Sequence, residues 1–148
     1  MIETLKTLFR RDLEKLQNEI ALYSNEDAIW QTGRGISNSA GNLCLHLAGN
    51  LNAYIGAGLA GISYTRQRDL EFSLKNIPRQ ELVKKIQATM QRVEAGLNTL
   101  DEEQMQKDFP VIIWDGPTGM EYTLLHLLTH LNYHLGQVNY HRRLLNTQ

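Results

Sequence analysis

Residues 124–145 read LLHLLTHLNYHLGQVNYHRRLL. Leu124, Leu128, Leu131, Leu135, Val138 and Leu145 recur at helical steps, and at about 100° per residue they draw one apolar stripe along a helix. Histidines flank that stripe. His126, His130, His134 and His141 fall within an arc of about 80°, on a face turned partly inward.

The same period extends outward from this segment. From Ile2 to Tyr23, Leu5, Phe9, Leu13, Leu16, Ile20 and Tyr23 form a stripe with Arg10, Arg11, Glu14 and Lys15 mostly outside it, which predicts a first helix. A second is expected after Ser37 or Asn38, either able to cap it, through Leu43, Leu47, Leu51, Tyr54, Ile55 and Leu59, stopping near Gly58 to Gly61. A third is signalled by Pro78 in its first turn and by Leu82, Ile86, Met90, Val93, Leu97 and Leu100, with Lys84 and Lys85 facing away. Between helices one and two, residues 24–41 are polar and turn-rich around the isolated Trp30. Before the last helix, residues 101–120 hold a short β-like run, Val111 to Trp114, closed by Asp115, Gly116 and Pro117, which suggests a turn or a brief hairpin-like excursion and not a sheet. The pattern predicts an all-α four-helix bundle over residues 1–148, a single domain with long inter-helix connections covering one end.

Composition bounds the partners. With 42% apolar and 21% charged residues the chain can bury a sizeable core. Fifteen Lys plus Arg against sixteen Asp plus Glu give a formal net charge of -1, which offers no electrostatic footprint for nucleic acid or an anionic membrane. Arg142 and Arg143 suit the dipole at a helix C-terminus. The lone cysteine, Cys44, excludes an intramolecular disulfide, no segment reaches the ~20 apolar residues of a membrane span, and a cytoplasmic location is expected.

The i, i+4 pair His130/His134 sets two imidazoles one turn apart, a geometry in which both reach a single ion. His46 lies at the edge of its own helix's stripe and could add a third ligand. Three imidazoles leave coordination positions open, as in catalytic sites. The plainer alternative is a set of hydrogen-bonded boundary histidines. Leu131 stands where HExxH proteases carry their base, so that mechanism has no support. His126 and His141 could be a further ligand or the partner of one, or ordinary boundary residues. Tyr133 and Gln137 could position substrate, although both suit a helix surface. Asp115 and Glu121 are the nearest carboxylates by sequence.

The segments 42–50, NLCLHLAGN, and 126–137, HLLTHLNYHLGQ, resemble those of the DinB/YfiT-like superfamily of metal-dependent enzymes, over nearly the whole chain. The resemblance implies a four-helix bundle, often dimeric, in which one histidine from the second helix and an HxxxH pair from the last bind one divalent metal such as zinc or nickel. Those positions are His46, His130 and His134. It also implies a small-molecule substrate, with relatives that transfer low-molecular-weight thiols onto electrophiles or act as hydrolases. The chain departs from the common HxxxHRGQ pattern: Leu135 stands in place of arginine, while Gly136 and Gln137 are kept.

Three features have bland readings. Residues 56–61, GAGLAG, fit GxGxxG but close a helix instead of opening one after a strand, which speaks against dinucleotide binding. Cys44 is turned about 200° from His46 on a helix and reads as a small buried residue. Trp30 and Trp114 are expected to anchor the long connections, with a pocket mouth as the alternative. Two functions remain: a metal-dependent transferase or hydrolase, homodimeric and with no nucleic-acid or membrane partner, or a non-catalytic dimeric helical module with a structural or vestigial metal site.

Overall fold

The computed structural model describes residues 1–146, which are all-helical with no strand among them. Helices α1 (Ile2–Ala21), α2 (Ala40–Leu51), α3 (Arg68–Ser73), α4 (Arg79–Leu97) and α5 (Met120–Leu145) follow in chain order. The path of α2 continues through a π-helical turn, Asn52–Ala57, and a last α turn, Gly58–Ala60, before Gly61 ends it in the left-handed region at φ 66°. Residues 56–61 are therefore a helix end, as their reading predicts.

The α1 stripe from Leu5 to Tyr23 is buried at all six positions. It lies against α4 and α5, and α2 packs on the same two helices, so the four long helices surround one apolar core in the order α1, α4, α2, α5. Polar contacts set the direction. Asn132 donates to Asp12 at 2.9 Å and Asn139 to Glu19 at 2.7 Å, so α1 and α5 run parallel. Asp12 is fully buried despite its charge and is also held by Arg11 at 2.8 Å. Arg142 closes this ladder in an ion pair with Glu19, so its charge serves a tertiary contact beyond the dipole role read for it. On α5, Leu124, Leu128, Leu131, Leu135 and Val138 are buried, while Leu145 is half-buried.

Several boundaries differ from expectation. Ser39, and not Ser37 or Asn38, caps α2: its hydroxyl accepts from the Asn42 N–H at 3.1 Å and donates to the Asn42 side-chain oxygen at 2.7 Å. All twelve residues of α2 are buried, not only its leucine stripe. Its second face is covered by α3, which periodicity misses because six residues make fewer than two turns. The run Val111 to Trp114 forms no strand, but Phe109 N–H bonds the Thr118 carbonyl at 2.8 Å and Met120 N–H that of Lys107 at 2.9 Å, so the chain returns on itself there. Trp30 is buried, with its ring against Gly41, where a Cβ would lie 2.7 Å from the indole. It anchors the first connection. No described helix is long and apolar enough to cross a membrane.

Two glycines on long helices should respond oppositely to a methyl group. At Gly96 a Cβ would lie 2.6 Å from Ile55 Cγ2 and 2.7 Å from the Ile55 carbonyl oxygen, whereas at Gly136 nothing stands within 4 Å. Gly136→Ala is expected to stabilise by about 0.5–1 kcal/mol through helix propensity, and Gly96→Ala to destabilise by about 1–3 kcal/mol through overpacking. Urea midpoints of the two variants check this, and equal shifts in one direction would contradict the packing described.

Candidate metal centre

α2 and α5 meet where His46 faces the turn that carries His130 and His134. Leu43 borders one cavity together with His134, Gln137 and His141, while His46 Nε2 stands 3.1 Å from His130 Nε2. Lower numbers on α2 thus lie beside higher numbers on α5, and these two helices run antiparallel. One nitrogen from each of His46, His130 and His134 falls within 4.8 Å of the others. Two imidazole nitrogens bound at 2.0–2.1 Å to one tetrahedral zinc lie about 3.3 Å apart. The His46–His130 separation is already close to that value.

Burial prepares His46 and His130 as neutral ligands. It lowers the His46 pKa, outweighing the upward pull of Glu71. It takes His130 down to about 4, with the neighbouring His134 and His46 adding to the effect. An uncharged imidazole keeps the lone pair a cation needs.

The nearest carboxylate is one that sequence reasoning missed. Glu71, on α3, is buried and accepts from His46 Nδ1 at 3.0 Å. Arg66 holds the same carboxylate with both arms, Nε to Oε2 and Nη2 to Oε1, each at 2.9 Å. Asn42 anchors α3 by donating to the Glu71 and Leu74 carbonyls, both at 2.9 Å. The carboxylate lies directly on the α2 backbone, since a Cβ on Gly49 would stand 1.9 Å from Glu71 Oε2. A carboxylate on the distal nitrogen of a histidine fixes its tautomer and raises its strength as a ligand. Residues 66–72, RQRDLEF, hold this signal only as an Arg/Glu pair five apart, which no apolar period marks. Asp115 and Glu121 are both exposed and hold none of the three histidines.

The other candidates divide. Gln137 accepts from His134 Nδ1 at 2.6 Å, orienting that ring in the same way. Tyr133 is two-thirds exposed and sits edge-on to His134 at 5.3 Å. His126 is exposed, stacks parallel to His130 at 6.4 Å and is capped by Trp114 at 4.7 Å, but it stays outside the three-nitrogen cluster. Trp114 therefore borders the site's approach, the alternative reading of that residue, together with Tyr122. His141 is committed elsewhere: Tyr23 Oη and the Gln31 carbonyl occupy its two ring nitrogens at 2.6 and 2.8 Å, leaving none to ligate an ion or touch substrate. Leu135 is buried in the core, so the position of the missing arginine serves packing here. Cys44 is buried, its thiol pushed up to about 12 by burial, and plays no part in the cluster.

Fold and site define an all-helical protein with a three-histidine cluster able to hold a metal ion. The chain belongs to the family described as Protein of unknown function (DUF1572), whose pattern spans residues 1–148. No curated protein matches it.

Because Gly49 leaves the room in which Glu71 sits, Gly49→Ala is expected to expel the carboxylate and strand Arg66 and His46. A loss of about 3–5 kcal/mol, typical when a buried charge pair is broken, should appear in chemical denaturation. Wild-type stability in that variant would refute the close contact.

Proposed function

We propose that this chain is a divalent-metal enzyme, a four-helix bundle of the DinB/YfiT-like type, whose ion is held by His46, His130 and His134. The observation that carries this reading is the convergence of three imidazoles from two facing helices, two of them oriented by Glu71 and Gln137. An all-nitrogen set of three suits zinc or nickel and leaves at least one position for water or substrate. A bound ion supplies Lewis acidity, lowering the pKa of a water or thiol at the open position.

The protein's own contribution is orientation and enclosure. Glu71 keeps the His46 proton on Nδ1, so Nε2 presents its lone pair to the centre. Arg66 neutralises Glu71 and stacks over Tyr54 at 5.7 Å. Phe72 lies against His46 at 4.9 Å, and Trp114, Tyr122 and His126 extend an aromatic surface from His130. Such walls favour a small substrate with an apolar body. The reaction class that fits is transfer of a low-molecular-weight thiol to an electrophile, or hydrolysis of a small molecule, in a cytoplasmic homodimer.

Elemental analysis of untagged protein, purified without chelators, tests the reading. One zinc or nickel ion per chain, lost in the His130→Ala, His134→Ala double variant, is the expected result. No metal in either protein after incubation with zinc, nickel or manganese would favour a non-catalytic helical module. Glu71→Gln should bind the ion about 10–100-fold more weakly, the usual effect of removing a ligand's outer partner. Chelator competition reads that change, and an unaltered affinity would remove Glu71 from the site.

A further inference from the structure

Glu71 also borders another cavity, of about 440 Å³, that none of the three histidines lines. Leu45, Ala48 and Asn52 form its α2 wall, and Lys85, Ala88 and Arg92 its α4 wall. Leu70 and Leu74, 38% and 41% exposed, add apolar surface from the side of α3. The charges are uneven. Lys85 and Arg92 are both cations, while the lining carboxylate, Glu71, already has its oxygens taken by Arg66 and His46.

Arg92 is the unanswered group. Among the described residues the half-buried arginines are Arg66, Arg79, Arg92 and Arg142. Arg66 is met by Glu71, Arg142 by Glu19, and Arg79 by the carbonyls of Ala21 and Tyr23. Arg92 reaches only the Asn52 side-chain oxygen, at 3.4 Å, so most of its five N–H donors face no protein acceptor. Withdrawing such donors from water is unfavourable, yet the fold holds the side chain in place. Its stem lies on the π-helical turn, where a Cβ on Gly56 would stand 3.3 Å from Arg92 Cβ, and its head lies over the Tyr64 ring at 5.9 Å. Asn52, which opens that turn, spends its Nδ2 on the Ala48 carbonyl and Thr89 Oγ1 and so presents Oδ1 to Arg92. π-Helical turns occur frequently at functional sites.

We propose that this cavity binds a small organic acid, its carboxylate on the Arg92 guanidinium and its apolar body over Leu45, Ala48 and Ala88. A planar fork of donors matches the two oxygens of a carboxylate. Lys85, two turns earlier on α4, adds positive potential that draws the anion in. An apolar lining with a few placed polar groups is the usual make-up of a small-molecule pocket. The site is separate from the metal centre and does not depend on it.

The probe is phenylbutyrate, titrated by calorimetry into the full chain after chelator treatment, so that no carboxylate meets an ion at the histidines. Native protein should bind it, and should bind phenylbutanol, its uncharged counterpart, about 10–100-fold more weakly, the usual strength of hydrogen bonds to a charged group. Arg92→Gln should lose affinity by a similar factor, and Arg92→Lys, which keeps the charge without the fork, should recover only part of it. Ala88→Phe, on the exposed face of α4, should fill the cavity and block binding while Arg92 stays in place. Inorganic phosphate, an anion with no apolar body, should fail to displace the probe. No binding by native protein, equal affinity in native and Arg92→Gln or Ala88→Phe proteins, equal affinity for the alcohol, or displacement by phosphate at the probe's own concentration would each overturn the proposal. Because the protein carries no ion in this experiment, each of those results leaves the three-histidine reading standing.

Discussion

The buried carboxylate of Glu71 is the contact on which the site depends. Removing a carboxylate from water is costly, and the cost is recovered only when every lone pair finds a well-placed donor. Here Arg66 supplies two and His46 a third, and Gly49 supplies the space. Glu71 is also the one buried residue of α3, so this short helix owes little of its position to apolar burial. The interaction that orients a candidate ligand is thus also the one that holds α3, with Asn42, over α2.

α2 is the other constraint. It is enclosed on every side, and close approach is possible because small residues alternate with leucines: Gly41 accepts the Trp30 ring, Gly49 accepts Glu71, and the π-helical turn brings Ile55 against Gly96 of α4. Asn52 ties that turn down by donating to the Ala48 carbonyl at 2.8 Å and to Thr89 Oγ1 of α4 at 2.9 Å. A π-helical turn shifts the face presented by everything after it. His46, before it, faces the three-histidine cluster, and Gly58, after it, meets Val111 and Phe109.

The long helices and the three converging histidines were legible because both follow from period. Leu5 through Tyr23 repeat at helical steps and are all buried, and an i, i+4 pair must share a face wherever its helix packs. What period cannot encode was hidden. α3 is too short to show a stripe, and Glu71 reads as an ordinary surface acid until the chain folds Arg66 and His46 onto it. Ser39 outcompetes Ser37 and Asn38 as a cap through a reciprocal bond with Asn42, a difference of one or two positions that composition does not resolve. His141 shares the arc of the ligands by arithmetic, yet Tyr23 and Gln31 claim it from elements far away in sequence.

The position of Cys44 has a consequence for durability. It is adjacent to the centre along the chain but faces the opposite side of α2, fully buried and with its thiol held protonated. The candidate donors are therefore nitrogen alone. Thiolate sites release their ion when peroxides or electrophiles modify the sulfur, because the modified atom no longer ligates. Imidazoles lack that route. An ion held by His46, His130 and His134 would be spared the sulfur oxidation that empties a cysteine-ligated site.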